Sequence, residues 1–184
     1  MSGANKVWSG AAGLCVDERR RVLLVQQGKP GEGPAWGIPG GGRLEGETDE
    51  ECCVREVWEE TGYHVVPDRL VYVKMGPPLP GYVFRLTVFA ARVTGGHRAI
   101  HDPDGIVHDV GWFSAGELDQ LPFCFAEDRD LAARFLRMVG GAPDGLPPVR
   151  TAGAFVAAPG GVPFVRGLTT AGRPPGSGSA RRTR

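Results

Sequence analysis

The sequence feature that most limits the fold is a predicted helix over residues 48–61, because the sequence carries signals for both of its ends. Thr48 is a good N-cap, and Glu51 stands three residues later, where it completes a capping box. Acidic residues fill the first turn and place negative charge at the positive end of the helix dipole. Gly62 is a natural C-terminal stop, because glycine adopts the left-handed conformation without strain. The pattern therefore predicts one well-bounded helix in the first half of the chain.

Extended segments lie on both sides of this helix. Apolar runs over residues 7–16 and 22–27 are joined by a polar turn, which predicts a hairpin or two neighbouring strands. Residues 36–39 predict a short strand that leads into a Gly-rich loop over residues 40–42. The other extended runs lie at 65–66, 70–73, 82–93 and 106–113, and the other predicted helices lie at 116–118 and 127–139. The prediction is therefore an α/β fold.

Composition divides the chain into a domain and a tail. Hydrophobic residues at 41% and charged residues at 23% are ordinary globular values, which excludes wholesale disorder and a coiled coil. Residues 140–184 are rich in Gly and Pro and contain six Arg against one acidic residue, Asp144, for a net charge of +5. Because the whole chain is neutral, with 21 basic and 21 acidic residues, the remainder carries −5. We therefore expect a single domain over residues 5–139 and a flexible tail over 140–184, either disordered or loosely docked.

The charge balance and the cysteines indicate which partners and which cellular compartment to expect. A neutral chain with an acidic domain argues against a strongly basic nucleic-acid binder, so nucleic acid is not expected as a partner. The four cysteines form no Cys-x-x-Cys pair, which indicates a reducing compartment rather than a disulfide framework or a zinc knuckle. The N-terminus lacks a signal-peptide pattern, and no run approaches the roughly 18 apolar residues of a membrane span. We therefore expect a cytoplasmic protein with no membrane partner.

The helix over residues 48–61 carries three carboxylates on one face. At about 100° per residue, one side holds Arg55, Glu59, Cys52, Glu56 and Glu60, and the opposite side holds Cys53, Val54, Val57, Trp58 and Thr61. Like charges three and four residues apart repel by a few tenths of a kcal/mol, and the last turn of a helix disfavours negative charge. A solvated charged face is one interpretation. Because broken local rules are expected at functional sites, a bound cation is the other.

The ligand types on this face indicate which cation would bind. Three carboxylates without a His or Cys ligand at matching spacing favour Mg²⁺ or Mn²⁺ over zinc. Cys52 shares the face, so a thiol contact is one alternative, and a buried, inert cysteine is the one that we expect. The glycines at 40–42 allow the backbone to come close to a ligand. The acidic helix and the Gly-rich segment together predict a metal–phosphate site.

Nine residues stand at fixed spacings in the order Gly, five residues, Glu, seven residues, Arg-Glu-apolar-any-Glu-Glu-any-Gly-apolar. They are Gly41, Glu47, Arg55, Glu56, Val57, Glu59, Glu60, Gly62 and Tyr63. This arrangement resembles the Nudix box, and the resemblance extends over roughly residues 5–139. It implies a Nudix-type α/β/α sandwich with a mixed β-sheet. It also implies Mg²⁺-dependent hydrolysis of a nucleoside diphosphate linked to another moiety.

The resemblance also implies which residues hold the metal. Glu56 and Glu60 would be the main metal ligands, and Glu59 would be a third. A backbone carbonyl of Gly40 or Gly41 would supply another ligand. The cofactor would be Mg²⁺, with Mn²⁺ as a substitute.

Catalytic roles follow from the same resemblance. Mg²⁺ would neutralise the diphosphate oxygens and lower the pKa of an attacking water. The general base varies within the family; Glu56 is the first choice here, and Asp102 or Asp104 are the alternatives. Glu47 would steady the loop and the helix. The expected catalytic set is Glu56, Arg55 and Glu59, with Arg55 supporting the carboxylates.

The substrate-binding residues depart from the pattern of several nucleotide-cleaving members. Those members place Arg at the end of the second strand to hold phosphate, whereas this chain has Gln26-Gln27. Lys29 or Arg43 would substitute as the phosphate contact. Asp104 completes the candidate substrate-binding set.

The resemblance leaves several substrates open. A (d)NTP diphosphatase of the MutT type is the first hypothesis, with a small-molecule nucleotide as the partner. An ADP-ribose or nucleotide-sugar pyrophosphatase is the alternative, because Pro78 lies fifteen residues past Tyr63, a spacing associated with ADP-ribose cleavage. A hypothesis of another class is a non-catalytic Nudix nucleotide-binding or regulatory module. The intact box favours an enzyme, which would be a monomer or a homodimer.

Overall fold

The computed structural model describes residues 6–28, 33–76, 82–141 and 150–151. Lys29, Pro78 and most of the tail predicted for 140–184 lie outside the described residues. Within the described ranges the strands are β1 (Lys6–Cys15), β2 (Val22–Gln27), β3 (Ala35–Gly37), β4 (Gly40–Gly42), β5 (Tyr63–Met75), β6 (Tyr82–Gly96), β7 (Val107–Phe113) and β8 (Arg150–Thr151). The helices in the same ranges are α1 (Asp49–Thr61), α2 (Ala115–Leu118) and α3 (Ala126–Gly141).

The strands form two sheets. The larger has the order β4-β1-β6-β5-β8, in which β1 is parallel to β6 and β5 is parallel to β8, while the other pairs are antiparallel. The smaller sheet has the order β3-β2-β7 and is antiparallel throughout. The larger sheet is therefore mixed, as the resemblance implied.

The hairpin that was one alternative for the first two strands does not form. β1 pairs with β6 along its whole length, and residues 10–12 on its other edge pair with β4. In the part of the chain that the structure describes, the two strands share no ladder, and one isolated bridge joins Val16, just after β1, to Val22 of β2. The two strands belong to different sheets, because the partner of β1 is a distant strand that a local turn signal does not reveal.

Side chains pack in two layers on opposite faces of the strands. Ala12 and Leu24 are buried in a cluster with side chains of α2 and α3. Ala11 and Leu23, their sequence neighbours, are buried in a second cluster with side chains of α1. This alternation is the period of two expected for strands covered on both faces. The α/β/α sandwich is confirmed.

The Gly-rich segment predicted as a loop is the strand β4. Gly40, Gly41 and Gly42 pair antiparallel with residues 10–12 of β1. A Cβ atom on Gly40 would lie 2.5 Å from the carbonyl oxygen of Ala11, so no larger residue fits at that point of the pairing. The glycines therefore permit a close strand contact, in addition to any approach of a ligand.

Several element bounds also differ from the predictions. The runs at 65–66 and 70–73 are parts of one strand, β5, which continues through Pro67 with shifts in register. Two residues of the predicted tail, Arg150 and Thr151, form β8 beside β5. No helix in the described ranges is long and apolar enough to cross a membrane.

Candidate active site

The N-terminus of α1 is held both by its cap and by the larger sheet. Thr48 Oγ1 accepts a hydrogen bond from the backbone N–H of Glu51 at 3.1 Å, and Glu51 Oε2 accepts one from the N–H of Thr48 at 2.8 Å. The predicted capping box is confirmed. Asp49 Oδ2 accepts a hydrogen bond from the Thr87 hydroxyl at 2.8 Å and lies 3.0 Å from Arg85 Nη2. These contacts with β6 fix where the helix begins relative to the sheet.

The C-terminus of α1 ends at a glycine that serves two purposes. Gly62 has φ of 77° and donates its N–H to the carbonyl of Trp58 at 2.8 Å, which confirms the predicted stop. A Cβ atom on Gly62 would lie 2.4 Å from the His97 carbonyl oxygen. The segment after β6 can therefore pass close to the helix end, where the N–H of His101 donates to the Glu59 carbonyl at 2.7 Å.

The carboxylate face of α1 is turned toward the protein. Glu56 and Glu60 are each only 1% exposed, whereas Val54 and Trp58 on the predicted apolar side are 36% and 39% exposed. A solvated charged face is therefore wrong for the two glutamates. The apolar side does not face the core as a whole, because part of the contact surface of α1 is used by the carboxylates.

Arg55 is the centre of a network of oxygen atoms. Its guanidinium meets Glu47 through Nε at 2.7 Å and Nη2 at 2.9 Å, and meets Glu56 through Nη1 at 2.6 Å. Nη1 also lies 3.3 Å from Glu59, and Nη2 donates to the carbonyl of Gly42 at 2.8 Å. One planar cation thereby fixes three carboxylates and the end of β4.

The charges in this network stabilise one another. The hydrogen bond from Arg55 lowers the pKa of the Glu47 carboxyl, and the backbone N–H of Leu44 acts in the same direction. The hydrogen bonds with Glu47 and Glu56 hold the pKa of the Arg55 guanidinium above its ordinary value, although burial opposes this. Glu47 therefore joins the segment before α1 to the helix as an ionised group.

The donor set fits a hard divalent cation. Glu60 Oε2 accepts a hydrogen bond from the backbone N–H of Gly40 at 2.8 Å, so β4 lies directly against the carboxylate face. Carboxylate and backbone carbonyl oxygens are the ligands that Mg²⁺ prefers, and two of the carboxylates are buried. Within the described residues no three His, Cys, Asp or Glu side chains are already grouped as a metal site. Arg55 and the Gly40 N–H instead hold the carboxylates.

Cys52 is buried on the same face. It is 0% exposed, and burial raises the pKa of its thiol to about 12. The predicted burial of this cysteine is confirmed, and its inertness stays a prediction. Its Sγ nevertheless lies 3.6 Å from the carbonyl oxygen of Gly41 and 3.7 Å from Arg55 Nη2.

The two alternative general bases lie in a loop that begins beside the last turn of α1. The N–H of Ala99 donates to the Thr61 carbonyl at 2.9 Å, next to the contact between His101 and Glu59. Asp102 then accepts three backbone hydrogen bonds, from the N–H groups of residues 104, 106 and 107 at 2.7–3.0 Å. Asp102 thereby shapes the loop that carries Asp104.

Of the candidate phosphate contacts, Arg43 is brought to the network. Its Nη1 donates to the Glu47 carbonyl at 3.2 Å and lies 3.8 Å from Asp49. The side chain is 40% exposed, so it can reach a ligand in solvent. Lys29 lies outside the described residues.

Sequence reasoning missed three contacts that shape the site. These are the link between Asp49 and β6, the hydrogen bond from Arg55 to the Gly42 carbonyl, and the position of the Cys52 thiol between the Gly41 carbonyl and Arg55. The contact between Cys52 and Arg55 follows from their spacing of three residues on α1. The other contacts had no signal in the sequence, because they depend on how β4 and β6 pair with β1.

Comparison with known proteins places the chain in a family. A sequence profile described as NUDIX domain matches residues 8–135. The chain is 31% identical over 109 residues to the putative 8-oxo-dGTP diphosphatase of Bacillus subtilis, covering 59% of this chain and 68% of that protein. It is 38% identical over 77 residues to the NAD-capped RNA hydrolase NudC of Chromobacterium violaceum, covering 42% of this chain but only 27% of that protein.

Comparison of the fold with solved structures agrees with this. The crystal structure of the MutT protein from Methanosarcina mazei Go1 superposes with a TM-score of 0.59 at 22% identity, covering 77% of this chain and 100% of that one. At this identity the likeness concerns the fold. The profile, however, spans well over half of the chain, and the relatives include a putative diphosphatase and an RNA pyrophosphohydrolase. This protein belongs to the Nudix family and is a hydrolase.

Proposed function

We propose that this hydrolase is a Mg²⁺-dependent (d)NTP diphosphatase of the MutT type. The observation that carries the proposal is the pair of buried carboxylates, Glu56 and Glu60, held against β4 by Arg55 and by the Gly40 N–H. Burying two carboxylates so close to a third is costly unless cations accompany them. Nudix hydrolases act on small-molecule nucleotides and generally use a divalent cation such as Mg²⁺.

The proposed ligands come from two elements. Glu56, Glu59 and Glu60 would hold the cation from α1, and a carbonyl of Gly40 or Gly41 would hold it from β4. When bound, the cation would neutralise diphosphate oxygens, stabilise the charge on the leaving group and acidify an attacking water. Arg55 orients the carboxylates, because its guanidinium contacts Glu56 at 2.6 Å and Glu59 at 3.3 Å.

Proton transfer is assigned to a carboxylate of this face. We propose Glu56 as the base that removes a proton from the attacking water. The water oxygen bonds to the α-phosphorus while the bond from that phosphorus to the α–β bridging oxygen breaks, so that a nucleoside monophosphate and diphosphate are released. Asp104 is the alternative, because its loop begins at the end of α1. Asp102 is less suited to the role, since its oxygens accept three N–H groups of its own loop.

The substrate is proposed from the better-covered relative. The protein of Bacillus subtilis is named as a putative 8-oxo-dGTP diphosphatase, and 68% of its length aligns with this chain. Arg43 is the proposed phosphate contact, because it is exposed beside Glu47. Lys29 and Asp104 complete the proposed substrate contacts. A purine (d)NTP is therefore the first candidate, and ADP-ribose or a nucleotide sugar is the second, on the spacing of Pro78 from Tyr63.

The proposal includes the location and the oligomeric state of the protein. Within the described ranges Cys15, Cys52, Cys53 and Cys124 are all free thiols, which supports a reducing, cytoplasmic location. The substrate is a small nucleotide rather than a long nucleic acid. The protein acts as a monomer or a homodimer.

A panel of substrates with Mg²⁺ tests the proposal. The panel contains dGTP, 8-oxo-dGTP, ADP-ribose, a sugar nucleotide and a dinucleoside polyphosphate, and the products identify which bond breaks. We expect the highest kcat/KM for a (d)NTP, with release of diphosphate. A preference for ADP-ribose would support the second candidate instead.

A matched pair of variants tests the metal ligand. Glu60→Gln removes a buried charge at the site, whereas Glu50→Gln removes an exposed one from the first turn of the same helix. We expect kcat to fall at least about a hundredfold in Glu60→Gln and to change little in Glu50→Gln. Equal rates in the two variants would show that Glu60 is not a metal ligand.

A further inference from the structure

Two adjacent cysteines of α1 face different parts of the protein. Cys52 Sγ donates to the carbonyl oxygen of Gly41 at 3.6 Å and accepts from Arg55 Nη2 at 3.7 Å. Cys53 instead packs in the core, where its Sγ lies 3.2 Å from the point that a Cβ of Gly13 would occupy. Both side chains are 0% exposed. Only the first of the two therefore touches the network around Arg55 in the part of the chain that the structure describes.

These two contacts of Cys52 are with groups on whose positions the proposed metal site depends. The Gly41 carbonyl is one of the two carbonyls proposed as a ligand, and Arg55 holds both Glu56 and Glu59. A single thiol thus lies between β4 and the guanidinium. Groups that hydrogen-bond to metal ligands orient them, and their loss weakens metal binding.

We propose that Cys52 is a positioning residue, which fixes the Gly41 carbonyl against Arg55 in the arrangement that the divalent cation needs. The inference rests on the proposed function for the identity of the ligand. A thiol is a weak donor, so its contribution is smaller than that of a carboxylate in the same place. Cys52 does not itself touch the cation or the substrate.

Four variants separate positioning from packing. Cys52→Ala removes the thiol and leaves a space, Cys52→Val fills the space without a donor, and Cys52→Ser restores a donor. Cys53→Ala is the matched control, because it empties an equally buried position that is one residue away. The primary measurement is the Kd of Mn²⁺ for the nucleotide-free protein by calorimetry, with the Mg²⁺ concentration for half-maximal hydrolysis as the second.

The expected result is a rise of about threefold to tenfold in the Mn²⁺ Kd for Cys52→Ala and Cys52→Val. Cys52→Ser should lie closer to the wild type than Cys52→Val does. Cys53→Ala should lower the melting temperature without changing the Kd. If the alanine variant of Cys52 does not fold, the comparison of Val with Ser decides the question.

Two results would overturn the inference. One is the same Kd in the Cys52 variants as in Cys53→Ala, and the other is a Ser variant no better than the Val variant. A wild-type protein that binds Mn²⁺ but hydrolyses no nucleotide would refute the proposed function, while the Kd series would still decide the role of Cys52. A wild-type protein that binds no Mn²⁺ would refute both.

Discussion

The glycine that ends α1 offers a sharp test of how the site is assembled. Gly62 and Gly46 both have positive φ, 77° and 82° respectively, so an alanine at either position is strained in its backbone. They differ in their surroundings. A Cβ on Gly46 would meet nothing within 4 Å, whereas a Cβ on Gly62 would lie 2.4 Å from the His97 carbonyl oxygen and 2.7 Å from the Ala99 nitrogen.

The two substitutions should therefore have different costs. The left-handed backbone costs an alanine about 1–2 kcal/mol, partly offset by about 0.4–1 kcal/mol from the reduced entropy of the unfolded chain. Gly46→Ala should lower the free energy of unfolding only by the difference between these two terms, about 1 kcal/mol. Gly62→Ala adds an overpacking cost of about 1–3 kcal/mol, because the segment from His97 to Ala99 must move. That movement also weakens the hydrogen bonds to Thr61 and Glu59, each contributing about 1 kcal/mol.

We expect Gly62→Ala to lower the free energy of unfolding by about 2 kcal/mol or more beyond Gly46→Ala. Urea unfolding followed by circular dichroism measures this difference, and the melting temperatures should differ by at least about 4 °C. Equal destabilisation of the two variants would refute the reasoning. It would mean that the loop carrying Asp102 and Asp104 does not depend on a close approach to the end of α1.

Two further predictions concern charge pairs outside the site. The side chain of Lys74 on β5 is buried, and its Nζ lies 3.3 Å from Asp128 Oδ1 on α3. Because Lys74→Met would leave the Asp128 carboxylate without this partner, it should lower the free energy of unfolding by about 3 kcal/mol. The double variant Lys74→Met with Asp128→Leu should recover much of that loss in the same urea assay; no recovery would contradict the pairing. The hydrogen bond from Arg98 lowers the pKa of Asp109, so their small stabilising effect is complete above the ordinary pKa of aspartate and is lost as the pH falls through the lowered one. NMR titration should show the Asp109 pKa rising toward its ordinary value in Arg98→Gln, and an unchanged pKa would rule out Arg98 as the cause.

The ends of α1 show what local sequence can predict. The capping box of Thr48 and Glu51 and the stop at Gly62 were predicted and confirmed, because each depends on residues within one turn of the chain. The spacing of the box residues likewise predicted that Arg55, Glu56, Glu59 and Glu60 share a face. Predicting these features requires no knowledge of the strands that the helix contacts.

The orientation of that face is a different matter. Helical spacing placed Val54 and Trp58 on the side opposite the carboxylates, yet both are partly exposed, while Glu56 and Glu60 are buried. The reason is β4, which lies against the carboxylates, with the Gly40 N–H donating to Glu60. A pattern of hydrophobic residues shows which side of a helix is apolar, but it does not show which partner the helix will meet.

The sequence by itself therefore determined the helix, its two ends, the order of carboxylates along it and the family. Only the tertiary structure decided that residues 40–42 form a strand, that β1 pairs in parallel with β6 rather than with β2, and that the Cys52 thiol lies between the Gly41 carbonyl and Arg55. The physical reason is the range of the interactions. Caps and helical faces arise from neighbours within a few residues, whereas strand pairing joins residues dozens of positions apart, and the site is built where such a pairing brings β4 to α1.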